Sequence, residues 1–202
     1  DTEGKYMIIE YLGHSAFLIK GKTVSVVTDP FDGLGYKMRR VKADVCVSSH
    51  DHFDHDAFAN VECAKIIRGL GKDTCPEIAF ERKIVAHDEK FGTKRGMTAV
   101  MKFRIDDVEF IHFGDIGRPF RDDAFFRADV CFVPVGGFYT IDAADAKAYA
   151  EATGAKIIIP MHFRTARSFT VLSDEKAFTE AFERVEKVKT LKITKETLPT
   201  ES

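Results

Sequence analysis

Tryptophan is absent from this chain of 202 residues, and cysteine is scarce. The cysteines are widely scattered, which indicates neither a disulfide framework nor a closely spaced cysteine motif for zinc. Reduced thiols of this kind favour a cytoplasmic location. No stretch reaches the ~20 apolar residues of a membrane helix, and no signal peptide is visible, so we expect no membrane association. The cysteines are Cys46, Cys63, Cys75 and Cys131.

An excess of either charge is missing as well. The 30 Lys and Arg residues stand against 32 Asp and Glu residues, which gives a formal net charge of −2. A chain without a strongly basic balance is a poor candidate for general nucleic-acid binding. The length and the ordinary composition favour one folded domain over residues 1–202, in which the polar residues 1–6 form a disordered tail.

Strand signals dominate the first half of the chain, and helix signals come late. Runs of β-branched and aromatic residues predict strands over 7–12, 15–20, 23–28, 44–49, 64–69, 83–87, 98–105, 108–113, 129–135 and 155–160. Two helices are predicted, over 142–154 and 173–188. The second rests on an apolar stripe at helical spacing, formed by Phe178, Ala181, Phe182 and Val185. The fold class is therefore α/β (α+β), in which polar site residues gather just after strands.

The segment "SHDHFDH", residues 49–55, holds three of the seven histidines. His50 and His52 are two residues apart, so an extended backbone points both to one side. Asp54 and His55 follow after Phe53, and a turn there would send them towards a second centre. Imidazole suits zinc, and carboxylate widens the choice to manganese or iron. One loop can begin two metal sites but cannot complete them.

Three further donors end predicted strands elsewhere in the chain. His87 closes "KIVAH", Asp115 lies in "HFGDIG", and His162 lies in "IIIPMHF". The glycines on either side of Asp115 permit a close approach of the backbone. Each residue is a candidate ligand that another segment brings to the histidine loop.

The H-x-H-x-D-H pattern resembles the signature of the metallo-β-lactamase superfamily. The likeness continues through "LGHSAFLI", "TDPF", "HDEKFG", "HFGDIG", "VPVGGFYTID" and "PMHF". It is strongest to small metal-dependent hydrolases similar to ascorbate-6-phosphate lactonase, and weaker to the N-acylphosphatidylethanolamine phospholipase D group. The resemblance implies a four-layer αββα sandwich with the site in the cleft between two sheets.

The resemblance also implies which residues hold metal. The first ion would take His50, His52 and His87. The second ion would take Asp54, His55 and His162. Asp115 would bridge the two ions, and Asp29 would support the ligand loop without binding metal.

Other polar residues near these segments each allow two roles. His112 precedes Asp115 by three residues and either hydrogen-bonds a ligand carboxylate or is a buried core histidine. His14, in the turn "GHSA", is a candidate proton donor or substrate contact. Three arginines follow ligand segments and either bind an anionic group of the substrate or lie on the surface. They are Arg118, Arg164 and Arg167.

The expected function is hydrolysis with two divalent ions, zinc first, with manganese or iron as alternatives. A metal-activated hydroxide would attack a lactone, a phosphodiester or a related ester of a small, anionic metabolite, with Asp54 and His14 as the catalytic candidates. No Ser-His-Asp or G-x-S-x-G arrangement offers a protein nucleophile instead. The alternative is a metal-dependent binding or sensor protein with little catalysis, although such relatives usually have eroded ligands. The compact size permits a homo-oligomer, but no heptad pattern argues for one.

Overall fold

Two β-sheets dominate the computed structural model, which describes residues 6–118, 120, 122–168 and 170–200. Of the expected tail, residues 1–5 lie outside the described residues. The first sheet contains β1 (Met7–Gly13), β2 (Ala16–Lys20), β3 (Ser25–Thr28), β4 (Val41–Ser48), β5 (Val61–Arg68) and β11 (Thr190–Ile193). The second contains β6 (Phe80–Ala86), β7 (Met97–Ile105), β8 (Val108–His112), β9 (Val130–Pro134) and β10 (Ile157–Met161).

Strand direction sets where the ends of the strands lie. The first sheet has the order β11-β1-β2-β3-β4-β5, and the second has the order β10-β9-β8-β7-β6. Strands β3, β4 and β5 run parallel in the first sheet, as do β8, β9 and β10 in the second. The remaining pairs are antiparallel. Strand β1 therefore runs in the same direction as β3, β4 and β5, and β6 runs in the same direction as β8, β9 and β10. Within each sheet, these strands all end at the same edge.

A continuous apolar core lies between the two sheets. Phe17 on β2 and Phe132 on β9 meet across it, with ring centroids 4.3 Å apart. Both side chains are fully buried, as is most of the surrounding cluster. Alternate residues of each strand face this core because successive side chains of a strand point to opposite faces. The apolar residues on the outer faces of the two sheets must be buried by other segments of the chain.

The outer faces of the sheets are covered differently. The helices α1 (Asp123–Phe126) and α2 (Ala143–Thr153) pack on the second sheet. The first sheet is covered by an irregular segment that buries Phe31, Leu34 and Met38. The sandwich expected for the fold is thus present, but it is rich in sheet and has few helices. None of the described helices combines the length and the apolar character needed to cross a bilayer.

Local signals placed most elements within a few residues of their observed bounds. Helix α2 begins after Asp142, whose carboxylate accepts from two backbone amides, and ends at Gly154 in the left-handed conformation with φ 62°. The helix predicted over 173–188 is wrong, since only α3 (Lys176–Thr179) is helical there. Phe178 is buried, whereas Val185 is 47% exposed. Phe182 still packs on the core beside Phe178, but Ala181 and Val185 are exposed, so the stripe buries too little surface to extend the helix, and short isolated helices are marginal in water. Strand β11, which pairs with β1, was missed.

Candidate metal centre

All seven histidines of the chain lie at or next to one edge of the sandwich. The histidine loop follows β4, His14 follows β1, and His162 follows β10. His87 follows β6, and Asp115 comes three residues after the end of β8. The direction of the strands therefore gathers donors from segments that are far apart in sequence. Each of these seven histidines except His52 is at most 3% exposed.

A first group of donors consists of three histidines whose ring nitrogens converge. His50, His52 and His87 can each offer one nitrogen to a common ion. The Nε2 atom of His50 lies 3.0 Å from Nδ1 of His52. The ring of His87 lies 4.8 Å from that of His50 and 5.1 Å from that of His52, centroid to centroid. These are the residues expected to hold the first metal.

A second group contains the donors expected for the second metal, together with His14. Asp54, His55, His162 and His14 all bring a donor atom to one place. The Oδ2 atom of Asp54 lies 3.2 Å from Nε2 of His14 and 3.7 Å from Nε2 of His55. His14 and His162 have φ values of +53°, so both sit in a backbone region that non-glycine residues rarely adopt. Such conformations are retained where the surrounding structure enforces them, often at functional sites.

Asp115 lies where the two groups meet. Its Oδ2 atom is 3.0 Å from Nε2 of His162, 3.1 Å from Nε2 of His55 and 3.4 Å from Nε2 of His87. The carboxylate thus contacts histidines of both groups, which is the position expected of a bridging ligand. Its backbone N–H donates to Oγ1 of Thr98 at 3.2 Å.

Asp29 supports the histidine loop from beneath. It is fully buried, and its backbone is left-handed with φ +41°. Its Oδ1 atom accepts from the backbone N–H of Ser49 at 2.6 Å. Its Oδ2 atom accepts from Oγ of Ser49 at 2.7 Å and lies 2.9 Å from Nδ1 of His55. A histidine whose Nδ1 is held by a carboxylate presents Nε2 to a metal.

The site holds its histidines in different protonation states. Burial lowers the pKa of His50 to about 3, and burial together with neighbouring His162 lowers that of His14 to about 4. Burial alone would lower the pKa of His55 too, but the carboxylates of Asp115, Asp54 and Asp29 raise it well above its usual value. Without a metal, His50 is therefore neutral and His55 is protonated near neutral pH.

The donor set fits divalent metal ions. Metal–ligand bonds of ~2.0–2.2 Å place neighbouring ligand atoms of a tetrahedral ion roughly 3.3–3.6 Å apart. The spacings around Asp115 and Asp54 run from 3.0 to 3.7 Å. Several buried donor atoms also lack a hydrogen-bond partner, although buried polar atoms are normally paired. They include Nδ1 of His87, Nδ1 of His162 and Oδ1 of Asp115.

Glycines allow the ligand segments to pack closely. A methyl group at Gly117 would lie 2.4 Å from the carbonyl carbon of His87. One at Gly136 would lie 2.2 Å from the carbonyl oxygen of His162. One at Gly69 would lie 2.5 Å from the carbonyl oxygen of Ser48, two residues before the first loop histidine. At these contacts any side chain would displace the backbone that carries a ligand.

The remaining predicted residues are placed as follows. His112 is fully buried, and its Nε2 atom lies 3.1 Å from the backbone oxygen of Ser15 and 3.9 Å from Oδ2 of Asp29. Its neighbouring carboxylate is therefore the supporting Asp29 and not a proposed ligand. The guanidinium of Arg164 already has a partner within the protein, since its Nε donates to the backbone oxygen of Leu172 at 3.1 Å.

The other two arginines stack on aromatic rings. The guanidinium carbon of Arg167 lies 5.0 Å from the ring centroid of Tyr36, and that of Arg118 lies 3.6 Å from the ring centroid of Phe91.

Sequence reasoning missed three polar residues beside the proposed ligands. Ser49 and Thr98 place hydroxyls 2.9 and 3.4 Å from Nδ1 of His50. Asp88, directly after His87, organises the loop that follows it. Serine and threonine are too common for such contacts to be read from a sequence, whereas an aspartate followed by a glycine four residues later is a weak loop signal.

Comparison with known proteins identifies the family. A family model described as a β-lactamase superfamily domain matches residues 8–162. A UPF0173 metal-dependent hydrolase of Methanospirillum hungatei is 29% identical over 92% of this chain and 94% of the relative. Another, from Methanosphaerula palustris, is 30% identical over 88% of this chain and 92% of the relative.

Solved structures agree with these matches. A metallo-β-lactamase superfamily protein from Thermotoga maritima, described as a candidate Zn-dependent hydrolase, superposes with a TM-score of 0.78 at 30% identity, over 96% of this chain and 95% of that one. Igni18, a metallo hydrolase of Ignicoccus hospitalis, has the same fold, with a TM-score of 0.70 at 19% identity, over 93% of this chain and 98% of that one. The chain therefore belongs to the metal-dependent hydrolases of the metallo-β-lactamase superfamily.

Proposed function

We propose that this protein hydrolyses a lactone, a phosphodiester or a related ester of a small metabolite with two divalent metal ions, zinc first among the candidates. The observation that carries the proposal is the convergence of two donor groups on Asp115, which contacts histidines of both at 3.0–3.4 Å. A closed structural zinc site needs four protein ligands and no shared carboxylate. Two adjoining groups that share a carboxylate are instead typical of hydrolytic centres with two metals.

The residues divide between the two proposed ions by position. His50, His52 and His87 would hold the first ion, and Asp54, His55 and His162 the second, with Asp115 between them. Two such ions supply, when bound, an activated water at neutral pH and positive charge beside the scissile group. The scattered cysteines, which are free thiols in the structure, support the expectation that the reaction takes place in the cytoplasm.

The chain's own groups prepare the site for this chemistry. Asp29 fixes Nδ1 of His55, so Nε2 is directed towards Asp115. Burial keeps His50 neutral, which leaves a lone pair free for binding. His14 contacts Asp54 through Nε2, and this contact favours a role in positioning Asp54, or as a further donor to the second ion, over proton donation to a leaving group.

The substrate is expected to be anionic. Arg118 follows Asp115 by three residues, and within the described part of the chain no carboxylate forms an ion pair with it. Arg164 is less suited to this role because its guanidinium already contacts the Leu172 carbonyl and Asp174. A planar guanidinium beside a hydrolytic centre suits phosphate or carboxylate groups of a substrate.

The test removes one ligand from the first group and the shared carboxylate. We expect His52→Ala and Asp115→Ala to lose bound metal and at least ~100-fold in turnover while keeping the fold, because first ligands govern both occupancy and rate. Metal per chain would be measured by inductively coupled plasma mass spectrometry, and the fold by circular dichroism. Asp51→Ala, an exposed acid in the same loop, is the matched control. Unchanged metal content and turnover in both variants would refute the proposal.

A further inference from the structure

A single buried carboxylate shapes the loop that follows His87. Asp88 is 1% exposed and accepts hydrogen bonds from four backbone N–H groups of the loop at 2.7–3.0 Å. These donors belong to Lys90, Gly92, Lys94 and Arg95. The path of residues 88–96 is thereby fixed by backbone contacts, so the side chains that it carries are held in place.

Two arginine–aromatic stacks join this loop to its neighbours. The guanidinium carbon of Arg118 lies 3.6 Å from the ring centroid of Phe91, and that of Arg95 lies 4.9 Å from the ring centroid of Tyr139. The ring of Phe138 meets that of Tyr139 nearly at right angles, with centroids 4.7 Å apart. These five residues, Phe91, Arg95, Arg118, Phe138 and Tyr139, form what we name the arginine–aromatic patch.

Among the described residues, the patch combines exposed apolar surface with two half-buried arginines. Phe91 is 74% exposed and Phe138 is 67% exposed, which is unusual for such large apolar side chains. Among the described residues, no carboxylate forms an ion pair with Arg95 or Arg118. The Nη1 atom of Arg118 is buried without a hydrogen-bond partner. Buried polar atoms are normally paired, so this unused donor is an unusual feature of the patch.

Backbone contacts tie the patch to the metal centre. Gly117, directly before Arg118, donates to the backbone oxygen of Ala86 at 3.0 Å and packs against the main chain of His87. Ile141 donates to the backbone oxygen of Ile116 at 2.9 Å, which brings the segment with Phe138 and Tyr139 beside the same strand end. The segments that carry the patch thus either directly follow His87 and Asp115 or are hydrogen-bonded to the segment that carries Asp115.

We propose that the arginine–aromatic patch is a substrate subsite that selects esters carrying an anionic group next to a flat apolar group. Arg95 and Arg118 bind the phosphate or carboxylate, and Phe91, Phe138 and Tyr139 pack on the apolar group. A guanidinium packed over an aromatic ring keeps N–H donors at its edge, which can bind such anions. The inference rests on the proposed hydrolytic function, because it assigns the substrate class of that same site.

Paired substrates and paired ligands test the subsite on the metal-loaded protein. Bis(para-nitrophenyl) phosphate is anionic and aromatic, whereas para-nitrophenyl acetate is neutral. We expect Arg118→Met to raise the KM of the phosphodiester roughly 10- to 100-fold at the same metal content and to change the KM of the neutral acetate far less, so that the ratio of the two KM values shifts. Arg184→Met, at an exposed arginine paired with Glu186, is the matched control.

Calorimetric titration separates the contribution of the ligand's ring to binding from that of its charge. Phenylphosphonate and methylphosphonate carry the same anion, but only the first carries a ring. We expect Phe91→Ala to weaken phenylphosphonate binding roughly 3- to 10-fold and to leave methylphosphonate binding unchanged.

Three results would overturn the subsite. The first is equal effects of Arg118→Met and Arg184→Met on both substrates. The second is equal weakening of both phosphonates by Phe91→Ala. The third is a dimer that Phe91→Ala dissociates without a change in substrate preference, since the patch would then bind a second copy of the chain. A metal-loaded protein that hydrolyses neither substrate would refute the phosphodiester and simple-ester forms of the proposed function, while the phosphonate titrations would still decide the subsite.

Discussion

Asp29→Asn isolates the contribution of one buried carboxylate to the proposed second metal site. The change keeps the shape of the side chain but replaces one carboxylate oxygen by an NH₂ group. If that group takes the place of Oδ2, it meets Nδ1 of His55, which now lies 2.9 Å away. If it takes the place of Oδ1, it meets the backbone N–H of Ser49 at 2.6 Å. Either orientation sets a donor against a donor.

The least costly response is a change of tautomer at His55. Its neutral ring would then carry the proton on Nε2, the atom that lies 3.1 Å from Oδ2 of Asp115 and that a metal would need. Losing such a supporting contact typically costs 10- to 100-fold in metal affinity, and we expect about this loss for the second equivalent of metal. One buried donor left unpaired would also lower the free energy of unfolding of the metal-free protein by about 1–3 kcal/mol.

Chelator competition measures the affinity of each metal equivalent, and urea unfolding of the metal-free protein measures stability. Asp44→Asn is a matched control, because Asp44 also accepts from a serine, at 2.7 Å from the N–H and 2.6 Å from Oγ of Ser25, but at an exposed position away from the site. Should Asp29→Asn bind both equivalents as tightly as the parent protein, the supporting role of Asp29 would be wrong.

Two further predictions concern protons and packing. Carboxylates raise the pKa of metal-free His55, so a metal must displace the proton on its Nε2 atom. Metal affinity should therefore rise up to about tenfold per pH unit until the pH passes that pKa. Calorimetry in buffers of different ionisation enthalpy would count the released proton, and zero released protons would contradict the assignment of His55 as a ligand. The same raised pKa stabilises the metal-free protein fully below the unfolded value of about 6.5, and this stabilisation is lost as pH rises through the folded value. Gly117→Ala places a methyl group 2.4 Å from the backbone of His87 and should lower both stability, by about 1–3 kcal/mol, and metal affinity. Gly71→Ala is the control, because its methyl group would meet no atom closer than 3.2 Å, and it should lower neither stability nor metal affinity. Equal behaviour of the two variants would count against the packing argument.

The convergence of the proposed donors could be predicted because their signals are local. His50, His52 and His55 lie in one short segment, and the more distant donors follow runs that read clearly as strands. Helix α2 was equally accessible, since Asp142 and Gly154 mark its ends in the sequence. In each case neighbouring residues carry the information.

What could not be predicted depends on contacts between distant segments. The stripe from Phe178 onward has helical spacing, but packing against α2 and the core cluster around it decides how far a helix continues. Thr98 reaches His50 across 48 positions of the chain, and nothing near either residue announces the contact. The proximity of His14 to Asp54 is likewise a product of how the two strand ends meet.

The way Asp88 is bonded has a consequence for how this fold can change its chemistry. The carboxylate holds backbone amides and no side chain of the loop. The residues between its amide contacts can therefore be replaced without disturbing the turn, provided that Asp88 and the left-handed Gly92, with φ 82°, are kept. Apart from Gly92 and Phe91, whose backbone is also left-handed with φ 58°, the positions of residues 89–95 can thus vary beside the proposed metal centre, so that new selectivity can arise while the proposed ligands stay unchanged.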